Sequence, residues 1–117
     1  MDGIKEYRNK YQGQRAWIVG NGPSIDRTPL DRLAGEYAFG INRIGNKFDK
    51  TKWRPTFFIC STGYVAEADY QKDVLRAIDD SHLAFISRHL MPVLAMKVRK
   101  NVQWVELRYS ESSYRYT

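Results

Sequence analysis

The sequence predicts an α/β domain with a mostly parallel sheet of about five strands and flanking helices. Four short apolar runs recur along the chain, Ala16–Val19, Tyr37–Ile41, Thr56–Cys60 and Leu83–Ser87, each closed by glycine or small polar residues. Between them lie stretches long enough for the crossovers that strands running the same way require. The length of 117 residues suits one domain, 1–117, and 43% hydrophobic with 27% charged residues is too apolar for a disordered tail and too mixed for a membrane span.

The elements follow in order. Residues 1–14 are read as an N-terminal amphipathic helix, because Ile4, Tyr7 and Tyr11 are spaced by three and four among charges and Gly13 ends the pattern. Ala16-Trp17-Ile18-Val19 is an unbroken apolar run, which predicts an inner strand buried on both faces. After the turn Gly20-Asn21-Gly22-Pro23-Ser24, a short helix is expected over Pro29–Leu33, with Thr28 as N-cap and Gly35 near its end. Tyr37–Ile41 is the second strand. Ile44 to Trp53 is connecting structure with a helical turn around Phe48, and Pro55 introduces the third strand, Thr56–Cys60. Val65, Ala68, Val74, Leu75 and Ile78 predict a helix, Leu83–Ser87 the fourth strand and the alternation in Val102–Leu107 a fifth nearer an edge. Val93–Met96 is ambiguous after Pro92, and 110–117 is a tail without apolar periodicity.

Nineteen Lys plus Arg against thirteen Asp plus Glu leave a charge of +6, scattered along the chain. Scattered charge is ordinary solvation with a weak preference for anionic ligands. No zinc-finger spacing or RNA-recognition signature is present, so no specific nucleic-acid partner is expected. Cys60 is the only cysteine, which excludes an intrachain disulfide and a site built on several thiolates. A polar start and the lack of any run of about 18 apolar residues predict no transmembrane segment and a reducing, cytoplasmic setting.

Ligands of open parallel sheets collect outside the carboxyl ends of the strands, near the point where strand order reverses. Three groups fall at such ends: Gly20–Ser24, Asn42-Arg43 and Cys60-Ser61-Thr62. Gly20 and Gly22 permit positive φ and close backbone approach, Pro23 stiffens the turn, and Asn21 and Ser24 add donors, a combination suited to phosphate oxygens. The dinucleotide fingerprint is absent, since Ile25 stands where its third glycine is needed, and the Lys of a Walker loop is missing. Asn42 offers a donor and an acceptor for a ribose hydroxyl or base edge, or a local turn bond at a strand end. Arg43 suits a phosphate, or a salt bridge to Asp26 or Asp49, and Asp26 suits a cap of the turn that follows it. His82 and His89 are read as surface or packing residues, Cys60 as a buried small hydrophobe, and Trp17, Trp53 and Trp104 as core or rim. Tyr109, Tyr114 and Tyr116 with Arg108 and Arg115 form an aromatic-basic tail.

Residues Asn9 to Ile25, with the run Asn9-Lys10-Tyr11-Gln12-Gly13-Gln14-Arg15 leading into Ala16–Val19, then Phe39–Ile44 and Arg54–Ile59, resemble the DUF115 or MptE-like family. That family is similar to the sialyltransferases of glycosyltransferase family 42 and to motility accessory factors, and it includes archaeal 6-hydroxymethylpterin diphosphokinases. The resemblance covers residues 9 to 60. It implies a Rossmann-like sheet in a glycosyltransferase-like domain, with a CMP-sugar or other nucleotide as the ligand, held by Gly20, Asn21, Gly22, Ser24 and Asn42, and it names no cofactor. The diphosphokinase alternative implies ATP and Mg²⁺ with converging carboxylates.

The sialyltransferase general base lies in the second half of a longer chain, so the resemblance names no catalytic residue here. It also implies a further alternative, a shortened, non-catalytic member acting as an interaction module. An abbreviated domain leaves an edge strand and apolar surface to cover, which predicts a homo-oligomer.

Overall fold

The computed structural model describes residues 3–98 and 102–106. The apolar runs form five strands, β1 (Ala16–Val19), β2 (Tyr37–Ile41), β3 (Phe57–Cys60), β4 (Leu83–Ser87) and β5 (Val102–Val105). They make one sheet in the order β1-β2-β3-β4-β5, and every neighbouring pair is parallel. The fold is a Rossmann-like α/β sheet with flanking helices. The connections are mostly short 3-10 turns, with α1 (Ala68–Asp80) between β3 and β4 and the short α2 (Met91–Leu94) before β5.

All four crossovers pack on one face. Ile25 and Leu30, Ile44, Phe48 and Trp53, Val65, Val74, Ala77 and Ile78, and Leu90 and Leu94 form a single buried cluster with Ala38, Phe58, Cys60, Ala84 and Ile86 of the strands. Strand alternation turns Phe39, Phe57 and Phe85 to the opposite face, where Phe57 packs on both of the others. That face has no crossover, and the N-terminal segment covers it instead. Tyr7 meets Phe85 edge-on, and Tyr11 meets Tyr37 and Phe57.

The strand spans match expectation to within a residue or two, and β5 lies at an edge as expected, but Ala16–Val19 is not the inner strand its apolar run predicts. β1 is an edge strand, with Ile18 81% and Trp17 45% exposed, because β2 pairs with only one of its sides. An apolar run alone cannot distinguish an inner strand from an uncovered edge. The order also contains no reversal, so the sheet lacks a topological switch point.

The helical expectations fare unevenly. The expected N-terminal helix is a 3-10 turn, Gly3–Tyr7, though its tyrosines do face the sheet. Thr28 ends the 3-10 helix Pro23–Arg27 and donates to the Ser24 carbonyl at 3.0 Å, and Pro29 takes the cap position before Leu30–Leu33. The expected helix over 65–78 divides into a 3-10 turn, Gly63–Ala66, and α1, while the ambiguous stretch after Pro92 falls partly in α2. Trp53 is buried, and its indole N–H finds no partner among the described residues. The aromatic-basic tail, 110–117 included, lies outside the described residues.

One close approach fixes α1 against the Ile44–Lys47 turn. A Cβ at Gly45 would stand 2.2 Å from the Asp73 carbonyl oxygen, which is backbone and has little freedom to yield. Gly45→Ala is therefore expected to destabilise the fold by about 1–3 kcal/mol, the usual range for overpacking. Chemical denaturation checks it, and an unchanged midpoint refutes the close approach.

Candidate functional site

The chain leaves β1 through Gly20–Ser24. Neither Gly20 nor Gly22 adopts positive φ, and Gly22 is extended at φ −65° and ψ 167°, which any residue can adopt. Nor is either crowded, since a Cβ at each would meet nothing within 4 Å. The fold thus supplies no steric reason for glycine at either position, contrary to the expected positive-φ turn. What remains is an exposed backbone approachable from outside. Pro23 opens the 3-10 helix Pro23–Arg27, and Ser24 is exposed.

Asn21 ties this loop to the next strand. Its Nδ2 donates to the Ile41 carbonyl at 2.7 Å, beside Asn42. Asn42 sits in the left-handed region at φ 50°, and its backbone N–H donates to the Ile59 carbonyl at 3.1 Å. Asn tolerates this conformation better than most residues, at a backbone cost that glycine avoids. The two amides expected to share a pocket therefore lie at adjacent strand ends.

Arg43 is committed elsewhere. Its Nε and NH2 converge on Oδ2 of Asp73 in α1, at 2.8 and 2.7 Å, and its guanidinium lies 5.1 Å from the centroid of the Tyr70 ring. The expected partners Asp26 and Asp49 pair instead with Lys47 and Arg76, each at 2.8 Å. Asp26 consequently makes no cap for the following turn.

At the end of β3, Thr62 Oγ1 accepts from the Tyr64 N–H at 3.3 Å and caps Gly63–Ala66, while Ser61 is exposed. Cys60 is buried, and burial pushes its thiol pKa up, as a packing residue requires. His89 is exposed beyond β4, with Nδ1 2.5 Å from Ser87 Oγ, and His82 lies at the amino end of that strand.

Of the hollows among the described residues, two bear on the expected site. The larger, about 1450 Å³, lies at the amino ends of β2, β3 and β4, opposite the expected crevice. Its carboxylates are engaged: Asp31 by the Thr51 hydroxyl and the Lys52 and Trp53 N–H groups, and Asp80 by Arg54. The smaller, about 490 Å³, runs beside β1. Trp17, Val19, Ile25, Leu30 and Leu33 form its apolar wall, Gly20, Gly22 and Ser24 line it as well, and so do Arg15 and Glu36. Glu36 accepts from Arg15 and from the Trp17 indole, contacts that hold its carboxyl below the usual range. Asn42, Ser61 and Thr62 do not line this hollow, so the three strand-end groups do not share one crevice here. Sequence reasoning did not single out Asp73 or the Arg15–Trp17–Glu36 cluster, whose partners are 30 and about 20 residues apart.

Among the described residues, no group of three or more His, Cys, Asp or Glu side chains could hold a metal ion. Nor is any helix among them long and apolar enough to cross a membrane. Comparisons with protein-family models, curated proteins and solved structures find no match.

Asn42→Gly relieves the left-handed backbone cost and is expected to raise unfolding free energy by up to about 1 kcal/mol. A lower denaturation midpoint would show that the amide's own contacts outweigh the backbone gain. The carboxyls of Glu36, Asp26, Asp31 and Asp49 are all held low by their partners. A depressed folded pKa adds stability above the unfolded value and loses it as pH falls through the folded one. Thermal stability should therefore hold at neutral pH and fall as pH drops through the ordinary carboxylate range and below it, and a drop already at neutral pH would contradict these pairings.

Proposed function

We propose that this chain binds a nucleotide at the carboxyl end of β1 and β2, with phosphate oxygens on the backbone of Gly20–Ser24 and a ribose hydroxyl or base edge at Asn42. The observation that carries this reading is the pair of uncrowded, unstrained glycines beside an amide-anchored strand end. Glycine without a structural cause is explained by a ligand that needs the space a side chain would fill. The strand-end position is where open parallel sheets present such loops.

The resemblance of residues 9 to 60 to the MptE-like and sialyltransferase group makes a nucleotide sugar, CMP-linked by preference, the finer form of this proposal. In that form backbone N–H groups stabilise the leaving phosphate. Arg43 is set aside as a phosphate ligand because Asp73 already holds it. Ser61 and Thr62 drop to the periphery, Thr62 because it caps the turn after β3. The interaction-module alternative gains from the exposed β1 edge.

Differential scanning with CMP, CMP-sialic acid, UDP-sugars, GDP-sugars and ATP with Mg²⁺ tests the proposal. A ligand at about 100 times its Kd stabilises by about 2.7 kcal/mol, a rise of several degrees for a domain of this size. Gly22→Val should leave the ligand-free melting temperature unchanged, because its Cβ has open space, yet abolish the shift. Asn21→Ala should also abolish it. A shift that survives Gly22→Val places the ligand elsewhere, and no shift with any of these compounds rejects nucleotide binding.

A further inference from the structure

We infer that two copies of this chain pair edge to edge through β1, antiparallel about a two-fold axis at Ile18, and that each copy thereby presents Arg15 to the other's glycine loop. The pairing rests on β1 itself. The role of Arg15 rests on the anion-binding reading of the loop given above.

Among the described residues β1 borders only β2, so its outer side presents backbone donors and acceptors that another extended strand can satisfy along its length. Natural edges are usually blunted by charge, proline or a bulge. Ala16-Trp17-Ile18-Val19 has neither charge nor proline, and it pairs with β2 residue for residue. Its most exposed side chain is Ile18, at 81%. The opposite edge, β5, is half-buried throughout.

The strand is complementary to itself. A two-fold axis normal to the sheet keeps each face on its own side, so opposing residues must share a face. Register with β2 sets Trp17 and Val19 on the face of Ala38 and Gly40, and Ile18 on the face of Phe39. Centring the axis on Ile18 opposes Ile18 to the partner's Ile18, Trp17 to the partner's Val19 and Ala16 to the partner's Gly20. Every pair is then apolar or small. The partner's Trp17 arrives beside Val19, a wall of the 490 Å³ hollow.

One step further, Arg15 opposes the partner's Asn21. The Arg15 side chain is 74% exposed. Asn21 spends its Nδ2 on Ile41, which leaves Oδ1 to accept from a guanidinium. This contact also brings a cation to the loop: Arg15 is paired with Glu36, but at 3.2 Å and largely in solvent, whereas the loop's own neighbour Arg43 is held at 2.7 Å by the largely buried Asp73 carboxylate. Charge on the copies works against association, since each carries +6, so added salt should tighten the dimer.

Sedimentation of the full chain without nucleotide tests the pairing. The expected species at high concentration has twice the 13.7 kDa chain mass, and salt favours it. Ile18→Lys places like charges at the axis and should give a monomer that melts like the wild type at concentrations where the wild type is itself monomeric, because the side chain is exposed. Ile18→Cys should cross-link across the axis under mild oxidant, while buried Cys60 stays unreacted. A wild-type monomer at every concentration, or a dimer unaffected by Ile18→Lys, overturns the pairing, and no cross-link overturns the register.

Titration with CMP then tests Arg15. Arg15→Gln should dimerise but bind about tenfold more weakly, whereas Glu36→Gln, which breaks the same ion pair and keeps the cation, should bind like the wild type. Equal binding by Arg15→Gln overturns its role. If no nucleotide binds the wild type, the anion reading fails while the sedimentation result stands.

Discussion

Each crossover carries the chain one strand further in the same direction, and this constraint shapes the whole molecule. Connections of one hand then land on one face of a parallel sheet. The buried cluster bears this out, since all four crossovers contribute to it together with the inward residues of β2, β3 and β4. The other face must be covered by something that is not a crossover. The N-terminal segment does so through Tyr7 and Tyr11, which rest on an aromatic row from Tyr37 to Phe85. That cover lies over the amino half of the strands, and Ile18 and Ile59 remain exposed beyond it.

The strand spans were legible because each is a dense apolar run closed by small or polar residues, a pattern that depends only on neighbours along the chain. Strand order depends on which runs meet in space, and periodicity does not record it. Ala16–Val19 reads as an inner strand for this reason, although the register with β2 leaves its other side uncovered. The connections were harder still. Gly and Pro punctuate most of them so closely that 3-10 turns form where amphipathic spacing suggested helix, and only Ala68–Asp80 runs long enough for several α turns.

At the site, the loop and its neighbour Asn42 were legible, while the electrostatics were not. Asp26 and Asp49 are nearer Arg43 in sequence than Asp73 is, but Lys47 and Arg76 occupy them. Asp73 reaches Arg43 because Gly45 lets α1 approach the Ile44–Lys47 turn without a side chain between them. The same close approach therefore fixes the helix and removes Arg43 from the ligands available at the strand end. A glycine required by packing and two glycines that packing does not require thus lie at neighbouring positions of one sheet edge, with opposite meanings.

This distribution of charge limits what the loop achieves alone. A hydrogen bond from a neutral backbone N–H is worth about 0.5–1.5 kcal/mol net, and one involving a charged group about 1.5–3. Phosphate oxygens bring the negative charge themselves, so a few N–H groups can hold them, but a guanidinium fork adds direction and strength that backbone dipoles lack. Arg43 is held at 2.7 Å by a carboxylate only 16% exposed, so that addition is easier to draw from a cation whose own pair is longer and more exposed, such as Arg15 at 3.2 Å from Glu36. Arg15 precedes β1, whereas the loop follows it, so its own loop lies at the far end of the strand. Antiparallel pairing is the arrangement that reverses this, setting the amino end of one β1 against the carboxyl end of the other.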